Sequence, residues 1–201
     1  MSFRRLSLLA AALLLTATVV VTSARAQTAV ISDFTLKRAD NSALTLSSLS
    51  GRKAVVVVFS NAACPFSRLY QGRLTELTSA YAGRGVEFLF VTAPINLEQT
   101  AETLDTDKLK VKTSGADVAY LTDEGLKTVA LLGVTKTPEV VVLQPGSGGF
   151  TVRYRGAIDD NPQMEAYAKD HYLKNALDAV LAGQAAAVSE KRASGCLIKK
   201  N

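Results

Sequence analysis

The chain runs to 201 residues with a formal charge of +5 at pH 7, two cysteines and a single histidine. Arg4, Arg5 and Arg25 all fall in the first 26 residues; without that stretch the charge drops from +5 to +2, and no basic stripe interleaved with aromatics follows, so a nucleic-acid partner is not expected. One histidine and two widely spaced cysteines do not form a metal-ligand pattern, so no metal is expected; nor is any cofactor, since no phosphate loop or nucleotide fingerprint appears.

The N-terminus reads as an export signal. Arg4 and Arg5 give a charged start, Leu6 to Val21 is almost wholly apolar, and Ala24-Arg25-Ala26 is a small-x-small cleavage site. Residues 1–26 are therefore expected to be removed, leaving a periplasmic or extracellular protein; an uncleaved membrane anchor is the alternative. The rest suits one domain, 27–183, followed by a tail, 184–201, that carries Cys196. Export would place both cysteines where disulfides persist.

In chain order, Val30 to Leu36 predicts a strand, Ala39-Asp40-Asn41-Ser42 a turn and Leu44 to Leu46 a short return strand. Ala54 to Phe59 is apolar on both faces, as a central strand covered by helices should be. Phe66, Leu69, Tyr70, Leu74, Leu77 and Tyr81 recur at helical spacing and predict a helix over 65–81, with Pro65 just inside its start and Gly83 and Gly85 at its end. Val86 to Thr92 follows as a second buried strand, completing a β-α-β unit. A polar helix is expected from Asn96 to Leu104, and 106–115 is ambiguous. Then come a short strand over 118–121, a helix over 123–132, a strand over 139–143, a hairpin partner over 150–155 and a last helix over 162–181. Met164, Tyr167, Ala168, Leu173, Leu177 and Val180 would give that helix an apolar face for the core.

Cys64 is the residue on which function turns. It stands where a buried strand gives way to a helix, beside unpaired N–H groups and the positive end of the helix dipole, both of which favour the reactive thiolate. Open α/β folds also place their sites at such junctions. The opposing reading is an inert buried cysteine. Pro138, which can only open the strand that follows it, is the second marked position.

Three segments carry a resemblance: Phe59-Ser60-Asn61-Ala62-Ala63-Cys64-Pro65, Gly133-Val134-Thr135-Lys136-Thr137-Pro138-Glu139-Val140, and Tyr154-Arg155-Gly156-Ala157-Ile158-Asp159-Asp160. With the ending Ser194-Gly195-Cys196-Leu197-Ile198-Lys199, they resemble exported redoxins of the alkyl-hydroperoxide-reductase/thiol-specific-antioxidant branch of the thioredoxin-like superfamily. The resemblance implies an α/β fold, a three-layer sandwich with a central mixed sheet flanked by helices. It also implies a cis Pro138 against a catalytic Cys64, with the Thr137 backbone offered to an extended substrate, so that Thr137 and Pro138 are the expected substrate-binding residues.

The chain departs from that family pattern in two ways. Ser67 stands where a second, resolving cysteine would sit, so a local Cys-x-x-Cys cycle is excluded. Val57 and Asn61 stand where a thiol peroxidase would carry a proline and a threonine or serine, which weakens a peroxide pocket. Cys196 is then a second catalytic candidate as resolving thiol, or one half of a permanent staple, or a partner for another protein. The functions in play are a thiol–disulfide oxidoreductase, a peroxiredoxin-like thiol peroxidase and a non-catalytic binding module. The expected partners are protein or small-molecule thiols and disulfides, with peroxide as a further candidate; oligomeric state is open. Arg68, Arg73, a local Arg155–Asp159 pair, a helix-capping Asp159 and His171 are weaker candidates, Arg73 reading as a surface residue.

Overall fold

A computed structural model describes residues 30–96, 109, 111–113 and 116–199. The predicted export signal and, past Asn96, the predicted polar helix lie outside the described residues. The described residues open with β1 (Val30–Ile31), β2 (Thr35–Lys37) and β3 (Ala43–Thr45), then a 3-10 turn over Leu46–Leu49. β4 (Ala54–Ser60), α1 (Pro65–Leu69), α2 (Gln71–Tyr81) and β5 (Val86–Thr92) form the expected β-α-β unit. β6 (Lys112–Thr113) and β7 (Ala116–Asp117) pair with each other, followed by β8 (Tyr120–Thr122) and α3 (Lys127–Leu132). β9 (Lys136–Thr137), β10 (Glu139–Gly146), β11 (Gly149–Gly156) and α4 (Tyr172–Leu181) lead to two short strands, β12 (Glu190–Lys191) and β13 (Cys196–Leu197).

The main sheet runs β1-β11-β10-β4-β5-β8-β2-β3, with β12 added on β11. β4, β5 and β8 are parallel, whereas β10 is antiparallel to both β4 and β11. This is a mixed sheet with helices on its faces, the thioredoxin-like arrangement. The unbroken apolar run of β4 has a direct structural cause: all seven of its residues are buried. Val56 and Val58 join the cluster that holds Leu74 and Tyr81 of α2 and Leu173, Leu177 and Val180 of α4. Val55, Val57 and Phe59 point the other way, into the cluster built from Leu36, Leu44, Val129 and Leu132. The period of two along a strand feeds both layers at once, and each fully buried valine contributes roughly 1.5–3 kcal/mol.

Three helices differ from the sequence expectation. The one predicted over 65–81 breaks at Tyr70 (φ −88°, ψ −2°), whose phenol turns into the core and donates to Asp159 Oδ1 at 2.7 Å. The one predicted over 123–132 begins only at Lys127, after a 3-10 turn in which Gly125 and Leu126 take positive φ, and Asp123 accepts from Thr128 N and Val129 N. The last helix is half its expected length, because side chains capture the backbone first. Asp160 Oδ1 accepts from Lys169 N and Asp170 N, and Asn161 Oδ1 from Gln163 N and Met164 N. Met164 and Tyr167, expected in the core, are exposed.

Candidate functional site

β4 delivers the chain to a loop, 61–63, that Asn61 fixes. Its Nδ2 donates to Ala93 O at 2.7 Å, tying the loop to the end of β5, and its Oδ1 accepts from Ala63 N at 2.9 Å. Ser67 Oγ accepts from Asn61 N at 3.3 Å. The serine in the place of a second cysteine is thus buried and engaged with backbone. Arg68, from the exposed side, donates to Ala62 O and Ala63 O. The loop is held from both ends, so Cys64 arrives at the N-cap of α1 in an extended conformation (φ −78°, ψ 117°) with Pro65 at the first helical position.

Cys64 is fully buried and disulfide-bonded to Cys196, with Cα atoms 5.9 Å apart across a sequence separation of 132. Its sulfur lies 3.1 Å from Thr137 O. The Thr137–Pro138 peptide bond is cis, and Thr137 is fully buried. The four residues singled out from the sequence, Cys64, Cys196, Thr137 and Pro138, therefore meet at one point. Of the three readings of Cys196, the structure displays an intrachain bond to Cys64.

The segment that brings Cys196 there is held along its length. β12 lies parallel to β11 at Arg155–Gly156, and β13 is antiparallel to β9, with Cys196 opposite Thr137 and Leu197 opposite Lys136. Ile198 N donates to Thr135 O and Lys199 N to Pro94 O, both at 2.9 Å, while Asn96 N donates to Leu197 O at 3.3 Å. Lys136 Nζ reaches Ala193 O at 2.8 Å. Ala193 and Ile198 are buried. Two glycines permit this approach. At Gly156 (φ 129°) a Cβ would overlap the Lys191 carbonyl oxygen, and at Gly195 it would overlap the Thr137 carbonyl oxygen.

Sequence reasoning missed the buried support around the site. Arg73, expected at the surface, is 6% exposed and pairs with Asp159 at 2.6 Å; Asp159 also accepts from Tyr70 and from Asn161 N. Asp159 therefore ties α2 to the loop after β11 and does not cap the last helix. Arg155 does not pair with it but bonds Glu190 and Leu132 O. The signal that could have located this pair is the helical spacing that puts Tyr70 and Arg73 on one face. Glu139, also unremarked in the sequence, is buried and accepts from Thr135 N and Lys136 N at 3.0 Å each, which sets the edge of β9. His171 is exposed at the start of α4. Among the described residues no group of three or more metal-ligating side chains converges, and no helix is long and apolar enough to cross a membrane.

Among solved structures, the chain is similar to an uncharacterised conserved protein from Geobacillus kaustophilus, with TM-score 0.69 and 24% identity over 86% of this chain and 91% of that one. It is also similar to a hypothetical protein from Sinorhizobium meliloti 1021, with TM-score 0.67 and 24% identity over 85% and 92%. The pneumococcal exposed lipoprotein thioredoxin from Streptococcus pneumoniae strain TIGR4 superposes at TM-score 0.52 and 18% identity over 73% and 99%. These likenesses establish the shared fold. No curated protein matches. Residues 28–166 match the AhpC/TSA family, covering most of the chain, and with the thioredoxin-like sheet around Cys64 this makes the protein a redoxin that belongs to the AhpC/TSA family.

Proposed function

We propose that the protein is an exported thiol–disulfide oxidoreductase in which Cys64 is the nucleophile and Cys196 the resolving thiol. The observation that supports this best is the bond itself. It joins the N-cap cysteine of α1 to a remote strand laid on β9, beside a cis proline, with no second cysteine within one helical turn. In the proposed cycle, Cys64 as thiolate attacks a sulfur of a substrate disulfide, forming a mixed disulfide and releasing one substrate thiolate. Cys196 as thiolate then attacks Cys64 Sγ; the Cys64–substrate bond breaks, the electron pair leaves on the second substrate thiolate, and the Cys64–Cys196 bond forms. Because Cys64 is fully buried and Cys196 half-buried, an outside thiolate regenerating the protein attacks Cys196, with Cys64 as leaving group.

Two features favour exchange over peroxide chemistry. Val57 is fully buried within β4, and the side-chain amide of Asn61 is engaged with backbone, so neither is offered to a peroxide. The β9 edge at Thr137, which here carries β13, would take an extended partner in its place once β13 leaves, the way strand addition binds a polypeptide. The test is disulfide exchange by the native chain and by Cys64→Ser and Cys196→Ser. The expected result is full loss with the first, and trapping of a mixed disulfide with the second. Exchange unchanged by Cys64→Ser would overturn the assignment. A bond that resists reductants in the glutathione range would leave only a staple.

A further inference from the structure

Ser194 to Lys199 occupies the site as a bound chain would. It threads between two walls, β9 on one side and Pro94–Ile95–Asn96 on the other, taking Thr135 O and Pro94 O as acceptors and Asn96 N as donor. Each position of the segment meets a distinct environment. Gly195 lies against the Thr137 carbonyl so closely that any side chain would overlap it. Cys196 bonds Cys64. Leu197 is 58% exposed, so its side chain is not read. Ile198 is 4% exposed, in the apolar cluster on the α3 face of the sheet.

Resting on the exchange reading above, we propose that this groove selects its polypeptide partner by the pattern the tail displays: glycine before the reacting cysteine, any residue after it, and a branched aliphatic residue two positions on. The tail and the substrate use the same groove in turn. While the Cys64–Cys196 bond is intact the groove is full and closed to outside chains. Once the bond opens, a substrate segment of that pattern enters and bonds Cys64, and the returning tail displaces it as Cys196 attacks. The residues that set the pattern are Thr137, through its carbonyl oxygen, and the apolar surface beneath Ile198. Glu139 is a positioning residue, since it holds Thr135 N and Lys136 N and so fixes the edge on which the partner lies.

The test uses the full chain with Cys196→Ser and peptides whose cysteine is activated as a mixed disulfide with thionitrobenzoate. Cys64 as thiolate attacks the peptide sulfur; the peptide–Cys64 bond forms, the peptide–thionitrobenzoate bond breaks, and the electron pair leaves on the coloured thionitrobenzoate. The Cys64 proton goes to solvent. Ser-Gly-Cys-Leu-Ile-Lys is expected to react fastest. Ser-Ala-Cys-Leu-Ile-Lys and Ser-Gly-Cys-Leu-Ser-Lys should each be slower by about tenfold or more, the scale on which a site rejects a misfitting group. Ser-Gly-Cys-Ser-Ile-Lys should stay within about twofold, because that position is exposed. The reduced native chain, read by formation of the Cys64–Cys196 bond, should give the same ranking without any substitution. Equal rates for all four peptides, with Cys64 still reacting with a small aromatic disulfide faster than free cysteine does, would overturn the pattern and leave the exchange assignment standing. A Cys64 no faster than free cysteine toward the small disulfide would overturn both.

Discussion

Reduction of the Cys64–Cys196 bond should release the C-terminal segment while leaving the sheet intact. Ordering the six residues Ser194 to Lys199 costs about 6–12 kcal/mol at 1–2 kcal/mol each. Burial of Ile198 returns about 1.5–3 kcal/mol. The backbone bonds to Thr135, Pro94 and Asn96, with the β13–β9 ladder at Thr137, return roughly 0.5–1.5 kcal/mol apiece. At mid-range these contacts return somewhat less than the ordering costs, so the covalent bond is expected to decide whether the segment stays docked. Across a separation of 132 residues the bond removes about 5 kcal/mol of unfolded-chain entropy. The stability lost on reduction should be smaller than that, because part of the bond's contribution is used in holding the tail down. Hydrogen exchange on oxidised and reduced protein reads both quantities. The Ile198 and Lys199 amides should lose protection on reduction, while those of β4, β5 and β10 keep theirs, and urea unfolding should show a loss of between about 1 and 5 kcal/mol. If the tail amides stay as protected as the core after reduction, the segment docks by its own contacts and a groove opened by reduction is refuted.

Other perturbations test the surroundings. Asp159→Ala leaves the buried Arg73 guanidinium with Asn161 O, Pro162 O and the more distant Glu165 carboxylate, and Tyr70 without its acceptor, so it should cost about 3 kcal/mol by urea unfolding, the low end for a broken buried pair; a cost below about 1 kcal/mol would mean that the pair is solvated. Gly156→Ala drives a Cβ into the Lys191 carbonyl at a positive φ, a strain of about 1–3 kcal/mol. It should lift β12 and speed reduction of the disulfide by dithiothreitol about tenfold or more, whereas an unchanged rate would show that β12 does not help to shield the bond. Tyr70, Tyr81 and Tyr154 have phenol pKa values raised first by burial, and then, for Tyr70 and Tyr81, by hydrogen bonds to Asp159 and Asp178. In the unfolded chain these phenols ionise near pH 10, about the ordinary value. Their contribution is therefore complete below about pH 10 and is lost as pH rises above it toward the folded values. From neutral pH up to that point the phenols should leave urea midpoints unchanged, and above it the midpoints should fall, with phenolate absorbance of the folded protein lagging behind that of free tyrosine. Phenols that titrate together at the ordinary pH would refute the burial.

The sequence alone determined the scaffold, because what it depends on is local. The unbroken apolar run of β4 and the Thr-Pro step before β10 each force their element, the helical spacing after Pro65 accounts for α1 and α2 apart from the break at Tyr70, and together they mark Cys64 as the candidate reactive position. Where side chains compete with backbone, local reading failed. Asp160 and Asn161 captured the N–H groups that a longer last helix needed, and the spacing of Met164 and Tyr167 with the core residues was misleading. Which partners meet across long separations was settled by three-dimensional packing. Arg73 found Asp159, and Cys196 found Cys64 from a segment whose small and polar residues carry no periodic pattern. What places that segment is complementary to it but lies elsewhere in the chain: a carbonyl at Thr137 that tolerates only glycine, and an apolar surface for Ile198. A fit of that kind exists only once the sheet has formed.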